Sequence, residues 1–132
     1  MVIRAKMQSN IQFIGQVDSA WRILDNYDCL LNFSHGEGIP ISLIEAGWRS
    51  TPVFASAVGG IPELCGMHGA ELFDLEKTNN EIARQLWNFS NNKMKARQKA
   101  EFLRERVQKN YSTLHWLNGL EGIYRRVQGE AS

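Results

Sequence analysis

The sequence predicts an α/β fold, a Rossmann-like parallel sheet flanked by helices and followed by a helical C-terminal segment. In the first half, short apolar segments alternate with helical segments, which is typical of parallel strands joined by right-handed crossovers. The second half contains three segments with helical spacing. The 132 residues are 43% hydrophobic and carry a net charge of +1, which is enough apolar material for one domain and excludes disorder.

Four short apolar segments are predicted to be strands. The first, Ile11–Ile14, ends at Gly15. The second, Asp28–Phe33, is nearly continuous in its hydrophobicity, which is typical of a strand that is buried on both faces. The third and fourth are Pro52–Ser56 and Ala70–Phe73. The sequence predicts no membrane span, because it has no run of about 18 uncharged apolar residues.

Three short helices are predicted in the first half: Ser19–Leu24, Ile41–Trp48 and Ile61–Leu64. Asp18 or Ser19 is expected to be the N-cap of the first. Pro40 suits the first turn of the second helix, because the N–H that proline lacks would be unpaired there. The apolar side of this helix is predicted from its spacing to contain Ile41, Ile44 and Trp48, with Leu43 adjacent.

Three longer helices are predicted in the second half. Asn79 or Asn80 is expected to cap the first, and Asn91-Asn92 to break it. The second is Lys93–Lys109, ended by Asn110. Ser112 is expected to cap the third, which carries an apolar stripe: Leu114, Leu117, Leu120, Ile123, Tyr124 and Val127. Four aromatic residues at helical spacing are interpreted as core or interface residues: Trp87, Phe89, Trp116 and Tyr124.

Charge is distributed unevenly along the chain. Residues 1–81 contain 5 basic and 10 acidic residues, whereas residues 82–132 contain 10 and 4. The bland interpretation of the basic cluster is a solvated helix face. The alternative is peripheral contact with an anionic membrane, where each basic side chain adds on the order of 1 kcal/mol. Nucleic acid is the least favoured partner, because no aromatic residues are interleaved with the basic cluster, which comprises Lys93, Lys95, Arg97, Lys99, Arg104, Arg106 and Lys109.

The two cysteines, Cys29 and Cys65, lack the spacing of metal ligands and are too few for a disulfide scaffold. They are interpreted as free thiols in a reducing compartment. The segment Met1–Lys6 lacks the apolar stretch of a secretory signal. A cytoplasmic location is therefore predicted, peripheral at the inner face of the membrane if the basic cluster binds lipid.

The loop Ser34–Pro40 is the best candidate for a ligand site. It follows a predicted strand, and ligands of parallel sheets bind beyond the carboxyl ends of the strands. The helix that begins after it offers unpaired N–H groups, expected at about Ile41, Ser42 and Leu43. Such groups favour a negative ligand such as a phosphate.

Two glycines and two glutamates complete this candidate site. Gly36 and Gly38 carry no side chain, so a ligand can approach the backbone closely. Glu37 lies in the loop, and Glu45 lies eight residues later in the second helical turn. A carboxylate in that position can accept two hydrogen bonds from a vicinal diol such as a ribose. Spacing alone is a weak signal, and the alternative is one surface glutamate and one helix glutamate.

The run from Ser34 to Ala46 closely resembles the donor-site signature of retaining glycosyltransferases with the GT-B fold, of the large family 4 type. The likeness continues in Thr51–Ser56 and Val58–Glu63. Ile11–Gly15 is similar to the strand-to-glycine segment of that family, and Asp28–Ser34 to its next strand. As an ordered set, these motifs are specific.

The resemblance implies that residues 1–132 form a single, partial GT-B C-terminal domain that binds a nucleotide-diphosphate sugar. Glu37 would be the catalytic residue at the donor sugar, and Glu45 would bind the ribose hydroxyls. Transfer would retain the anomeric configuration, and neither a metal nor a cofactor is implied, because helix dipoles and basic side chains can take up the leaving-group charge. The remaining donor-binding residues would be Gly36, Gly38, Ile39, Pro40, Ile41, Ser42 and Leu43, and Gln16 and Val17 would lie against the base.

The chain also departs from the family pattern. Only ten residues precede Ile11, and Arg4 and Lys6 lack the context of the basic pair that contacts the diphosphate in the family. The resemblance therefore implies a chain that begins inside the donor domain, with an acceptor domain absent and little or no activity alone. A shortened sheet exposes apolar surface, so we expect a homo-oligomer. The alternative is a non-catalytic nucleotide-sugar-binding or self-associating module.

Two further features of the loop region have two interpretations each. Gly59-Gly60 is interpreted first as a turn before a helix and second as a ligand contact. His35 either fills the loop or donates to a hydroxyl of the donor.

Overall fold

The computed structural model describes residues 9–129, and it has a parallel sheet with the strand order β1-β2-β3. The strands are β1 (Leu30–Asn32), β2 (Val53–Ser56) and β3 (Glu71–Phe73). The predicted α/β class is therefore confirmed. Arg4 and Lys6 lie outside the described residues, as do residues 130–132 of the segment Gly129–Ser132, which the sequence predicts to be frayed.

Helices connect and follow the strands. In chain order they are a 3₁₀ helix (Ala20–Asn26), α1 (Ile41–Trp48), α2 (Ile61–Cys65), α3 (Asn79–Asn91), α4 (Lys93–Asn110) and α5 (Thr113–Val127). Within residues 9–129, no helix combines the length and the apolar character needed to cross a membrane.

The central strand β2 is fully buried, and its side chains alternate between two hydrophobic clusters. Val53 and Ala55 pack with residues of α1, α2 and α4. Phe54 packs on the other face with Phe73 and with Phe89 of α3. Helices therefore cover both faces of the sheet, as a parallel sheet requires.

The crossing of α1 and α4 allows almost no space at Gly47. A Cβ atom at this position would lie 2.7 Å from Cγ2 of Val107 and 3.1 Å from Cγ of Leu103. Leu43, Ala46 and Gly47 form the buried side of α1. Close contact with α4 thus fixes the rotation of α1 about its own axis.

Side chains cap three of the helices. The α3 cap is Thr78 rather than the predicted Asn79 or Asn80, and it forms a capping box with Glu81. Hydrogen bonding by Thr78 lowers the pKa of the Glu81 carboxyl below its ordinary value. Asn92 caps α4, and the predicted cap of α5, Ser112, is confirmed by its bond from the His115 N–H.

One strand prediction is wrong, and another is wrong in part. Ile11–Ile14 is not a strand, and Phe13 is 81% exposed. A four-residue edge strand needs a paired neighbour and a covered face, and this segment has neither among the described residues. The second strand is shorter than predicted and is not buried on both faces, because Leu31 is 47% exposed at the edge of the sheet.

Two helix details also differ from the sequence prediction. Ile41 is 72% exposed and Trp48 is also exposed, so the predicted apolar face of α1 is wrong. The buried side contains Leu43 and Gly47 instead, because α4 packs against it. The spacing of apolar residues within α1 carries no information on the position of α4. Ser19 precedes the 3₁₀ helix with a φ of 55° and forms no side-chain cap.

Cys29 is half-buried and Cys65 is buried, and both are free. Burial raises the pKa of each thiol to about 11. Both therefore remain protonated at neutral pH, which is typical of structural rather than nucleophilic cysteines.

Substitution of Gly47 by Ala is expected to lower the free energy of unfolding by about 1–3 kcal/mol, because the added methyl group overpacks the α1–α4 crossing. Gly119→Ala is the matched control, since no atom lies within 4 Å of its Cβ position in α5. It should stabilise the protein by about 0.5–1 kcal/mol through helix propensity. Urea unfolding monitored by circular dichroism measures both, and equal effects of the two variants would contradict the proposed close contact.

Candidate functional site

The candidate site lies where β1 and β2 end at the same edge of the sheet. The loop after β1 is tied to the end of β2, because the fully buried Ser56 donates from Oγ to the carbonyl oxygen of Ser34 at 2.7 Å. The N–H of Ser34 donates to Oδ1 of Asn32 at 3.1 Å. The first residue of the predicted loop is therefore fixed on both sides.

The Gly59-Gly60 turn packs directly on the backbone of this loop. The N–H of Gly60 lies 3.0 Å from the carbonyl oxygen of Gly38 and 3.3 Å from that of Glu37, and it donates to both. A Cβ atom at Gly59 would lie 1.7 Å from the carbonyl oxygen of Glu37, and its φ of +53° also favours glycine. The turn interpretation is confirmed, but the sequence did not reveal that the turn supports the loop. In the sequence, the pair Gly59-Gly60 was the only indication of this supporting role.

Glu37 is exposed, and the hydroxyl of Ser34 donates to its Oε1 at 2.9 Å. Gly36 and Gly38 are also exposed, with no atom within 4 Å of either Cβ position. The space beside the loop backbone is thus open to a ligand. His35 is exposed as well.

The first two residues of α1 have unpaired amides. The N–H groups of Ile41 and Ser42 have no hydrogen-bond partner among the described residues, and both residues are exposed. Leu43 differs from the prediction, because its N–H donates to the carbonyl oxygen of Pro40 at 3.1 Å and its side chain is fully buried. Pro40 precedes the helix and provides no side-chain cap, and no acidic residue lies in the first turn.

Glu45 lies in the second turn of α1 and is half-buried. The ion pairs found within residues 9–129 involve other carboxylates, among them Asp25, Asp28 and Glu71. The Glu45 carboxylate therefore forms no ion pair within 4.0 Å in the described part of the chain. Within the same range, no group of three or more His, Cys, Asp or Glu side chains could hold a metal ion.

The basic residues of α4 are not a uniformly solvated face. The Lys99 side chain is largely buried, and its ammonium donates to the carbonyl oxygen of Ala70 at 2.7 Å. The Arg106 guanidinium donates to the carbonyl oxygens of Glu63 and Leu64. Part of the basic cluster therefore satisfies backbone groups inside the fold, which the charge count could not distinguish from solvated charge.

Several cavities lie elsewhere in the described part of the chain. One of about 590 Å³ is found at the junction of α3 and α4, beside Trp87, Asn91 and Met94. Another of about 280 Å³ includes Cys29 and Arg97 and lies near the first residues of β1 and β2, opposite the candidate site. In the candidate site, residues 35–39 are all exposed.

Residues 2–92 match the family model described as "Glycosyl transferases group 1". The structure is similar to sucrose-phosphate synthase from Thermosynechococcus elongatus, with a TM-score of 0.86 and 23% identity. This match covers 98% of the present chain and 33% of the synthase, so the chain spans about a third of that protein's length. None of the curated proteins matches the sequence. The structural match shows the fold and agrees with the predicted partial GT-B domain.

Substitution of Gly59 by Ala is expected to lower the free energy of unfolding by about 1–3 kcal/mol, because the methyl group meets the Glu37 carbonyl at a left-handed residue. Gly36→Ala, in the same region but with open space around its Cβ position, should stay within about 0.5 kcal/mol of the wild type. Urea unfolding measures both. A Gly59→Ala protein as stable as Gly36→Ala would show that the turn does not support the loop.

Proposed function

The chain belongs to the group 1 glycosyl transferases, and on this premise we propose that it is the C-terminal, donor-binding part of a retaining GT-B glycosyltransferase. The proposed ligand is a nucleotide-diphosphate sugar bound between the loop 34–40 and the start of α1. One observation carries the proposal: at the carboxyl edge of a parallel sheet, the amides of two exposed residues, Ile41 and Ser42, have no hydrogen-bond partner among the described residues.

The start of α1 suits an anion better than the starts of the other long helices. Thr78, Asn92 and Ser112 cap α3, α4 and α5 with their side chains, whereas α1 has neither a side-chain cap nor an acid in its first turn. The partial positive charge of the α1 N-terminus is therefore left for a ligand. A diphosphate can accept hydrogen bonds from both free amides, which stabilises the leaving group as the glycosidic bond of the donor breaks.

The two glutamates complete the proposed complex. Glu45 forms no ion pair in the described part of the chain and accepts hydrogen bonds from the two ribose hydroxyls. Glu37 accepts from the donor sugar and helps to organise the transfer centre. The acceptor would be held by a second, facing domain, and we expect weak transfer or none by residues 1–132 alone. A module that binds the donor without catalysing transfer is the alternative within the same site.

Ile41→Pro tests the amides directly, since proline at the first helical position removes one free N–H without breaking a helix bond. Pro40 already has the extended backbone that a following proline requires. We expect Ile41→Pro to weaken binding of UDP, GDP or ADP, whichever binds the wild type, by about 1.5–3 kcal/mol, the value of a charge-assisted hydrogen bond. Isothermal titration calorimetry measures the change.

Ile41→Ala is the control, because it removes the same exposed side chain and keeps the N–H. It should bind the nucleotide as the wild type does, and Glu45→Ala should bind it more weakly. If Ile41→Pro and Ile41→Ala bind equally well, the amide plays no part in binding. If none of the three nucleotides binds the wild type at millimolar concentration, the donor-binding proposal is wrong.

Exposed apolar residues on α5 favour self-association as a second property. Trp116 is 63% exposed, and Leu114, Ile123, Tyr124 and Val127 are also exposed. None of the residues of α5 is buried, although the helix is clearly amphipathic. An exposed apolar stripe of this kind is typical of an interaction face. We propose that a second copy of the chain covers it.

Sedimentation velocity tests this self-association. The wild type should show a concentration-dependent increase in sedimentation coefficient over the micromolar range, and Trp116→Glu should abolish the increase. Trp87→Glu is the control, because Trp87 is similarly exposed but lies on α3. A monomeric wild type at high concentration, or equal effects of the two variants, would contradict the proposal.

Peripheral contact with an anionic membrane remains a separate proposal. Lys99 and Arg106 are used inside the fold, and Lys95 lies 3.5 Å from Glu71. The charge left on α4 for lipid is therefore smaller than the sequence suggests. Each basic side chain adds on the order of 1 kcal/mol to membrane binding. The remaining basic residues of α4 therefore support only weak, salt-sensitive binding.

A further inference from the structure

We propose that Ser34 is a positioning residue for Glu37, holding one carboxylate oxygen so that the other faces the sugar of a bound donor. This inference rests on the proposed function, which assigns Glu37 to the donor sugar. It adds to the candidate site a residue whose own role is to orient another side chain rather than to touch the ligand.

The central contact is the hydrogen bond from the Ser34 hydroxyl to Oε1 of Glu37, at 2.9 Å. A carboxylate only accepts hydrogen bonds, and its two oxygens offer about four acceptor sites. Bonding at Oε1 therefore leaves Oε2 available to a sugar hydroxyl. Glu37 is exposed, so without this bond its side chain would lose rotamer freedom when it engaged a ligand.

Ser34 can orient Glu37 because its own backbone is fixed. Its carbonyl oxygen accepts from the buried Ser56 hydroxyl at 2.7 Å, and its N–H donates to Oδ1 of Asn32 at 3.1 Å. These two partners are the last residues of β2 and β1. Ser34, which donates the hydrogen bond to Glu37, is thus attached to the sheet.

The backbone of Glu37, which accepts this hydrogen bond, is held in place as well. The N–H of Gly60 donates to the carbonyl oxygen of Glu37, and the glycine at position 59 allows the two backbones to meet. Both residues of the pair are therefore positioned by the end of β2 and the turn that follows it, before any ligand binds. Preorganisation of this kind strengthens binding by reducing the ordering cost. Its effect should fall on the sugar, which Glu37 contacts, and not on the nucleotide.

The experiment compares the affinities of the purified chain for a nucleotide sugar and for the matching bare nucleotide. The probes are UDP-glucose with UDP, GDP-mannose with GDP, and ADP-glucose with ADP, and calorimetry gives the ratio for the pair that binds. Ser34→Ala should reduce this ratio about 10-fold while leaving the affinity for the bare nucleotide unchanged. Ser34→Thr keeps a hydroxyl and should keep the ratio.

Two further variants separate positioning from other roles. Glu37→Ala should reduce the ratio, and the double variant Ser34→Ala/Glu37→Ala should be no worse than Glu37→Ala, because Ser34 acts through Glu37. Ser90→Ala is the matched control. Its hydroxyl also makes a 2.9 Å hydrogen bond, to the carbonyl oxygen of Trp87 on α3, and its loss should leave the ratio unchanged.

Each contrary outcome has a distinct meaning. An unchanged ratio in Ser34→Ala beside a reduced ratio in Glu37→Ala overturns the positioning role and leaves the proposed function standing. Additive losses in the double variant show that Ser34 contacts the ligand itself, which also overturns it. If Ser34→Ala loses affinity equally for the nucleotide sugar and for the bare nucleotide, the substitution has damaged the structure of the site instead. If no bare nucleotide binds the wild type at millimolar concentration, the proposed function and this inference both fail.

Discussion

The candidate site depends on one backbone contact, the approach of the Gly59-Gly60 turn to the loop after β1. A single N–H, that of Gly60, donates to the carbonyl oxygens of Glu37 and Gly38, and no side chain fits at Gly59. This contact sets the path of the loop and therefore the positions of Glu37 and of the start of α1. The loop is held by the protein itself, and its outer face is left to solvent.

The rest of the fold supports that contact. The parallel register of β1 and β2 brings both loops to the same edge of the sheet, and the fully buried β2 forms the centre of the core. The α1–α4 crossing at Gly47 sets the rotation of α1, which buries Leu43 and leaves Ile41 and Ser42 exposed. Packing on one side of a short helix thus determines which side chains of its first turn are buried.

Local signals predicted most of the fold. The bounds of α1 were correct, and Ser112 capped α5 as predicted, because helix starts and ends depend on neighbouring residues in the chain. Ile11–Ile14 failed as a strand because pairing depends on a distant partner. The buried side of α1 failed because it depends on where α4 crosses, and the four apolar residues of its spacing allowed more than one face.

The same division applies to the candidate site. The loop, its exposed glycines and the start of α1 followed from a short run of sequence that resembles a known signature. The supporting roles of Ser56 and Gly60 did not, since each acts on a residue more than twenty positions away in the chain. The engagement of the Leu43 N–H by Pro40 was also missed, because it depends on how tightly the first turn closes. The family match and the structural similarity agree on the fold. The binding of a nucleotide sugar by these residues is a proposal.

The central claim is that the start of α1 binds the diphosphate of a nucleotide sugar. Nuclear magnetic resonance of the ¹⁵N-labelled chain during titration with UDP-glucose, GDP-mannose and ADP-glucose tests it most directly. The account predicts that one of these ligands shifts the amide resonances of Ile41 and Ser42 most strongly, with smaller shifts in residues 36–38. Saturable binding that shifts only residues distant from this loop, or no shift at millimolar concentration, would contradict it.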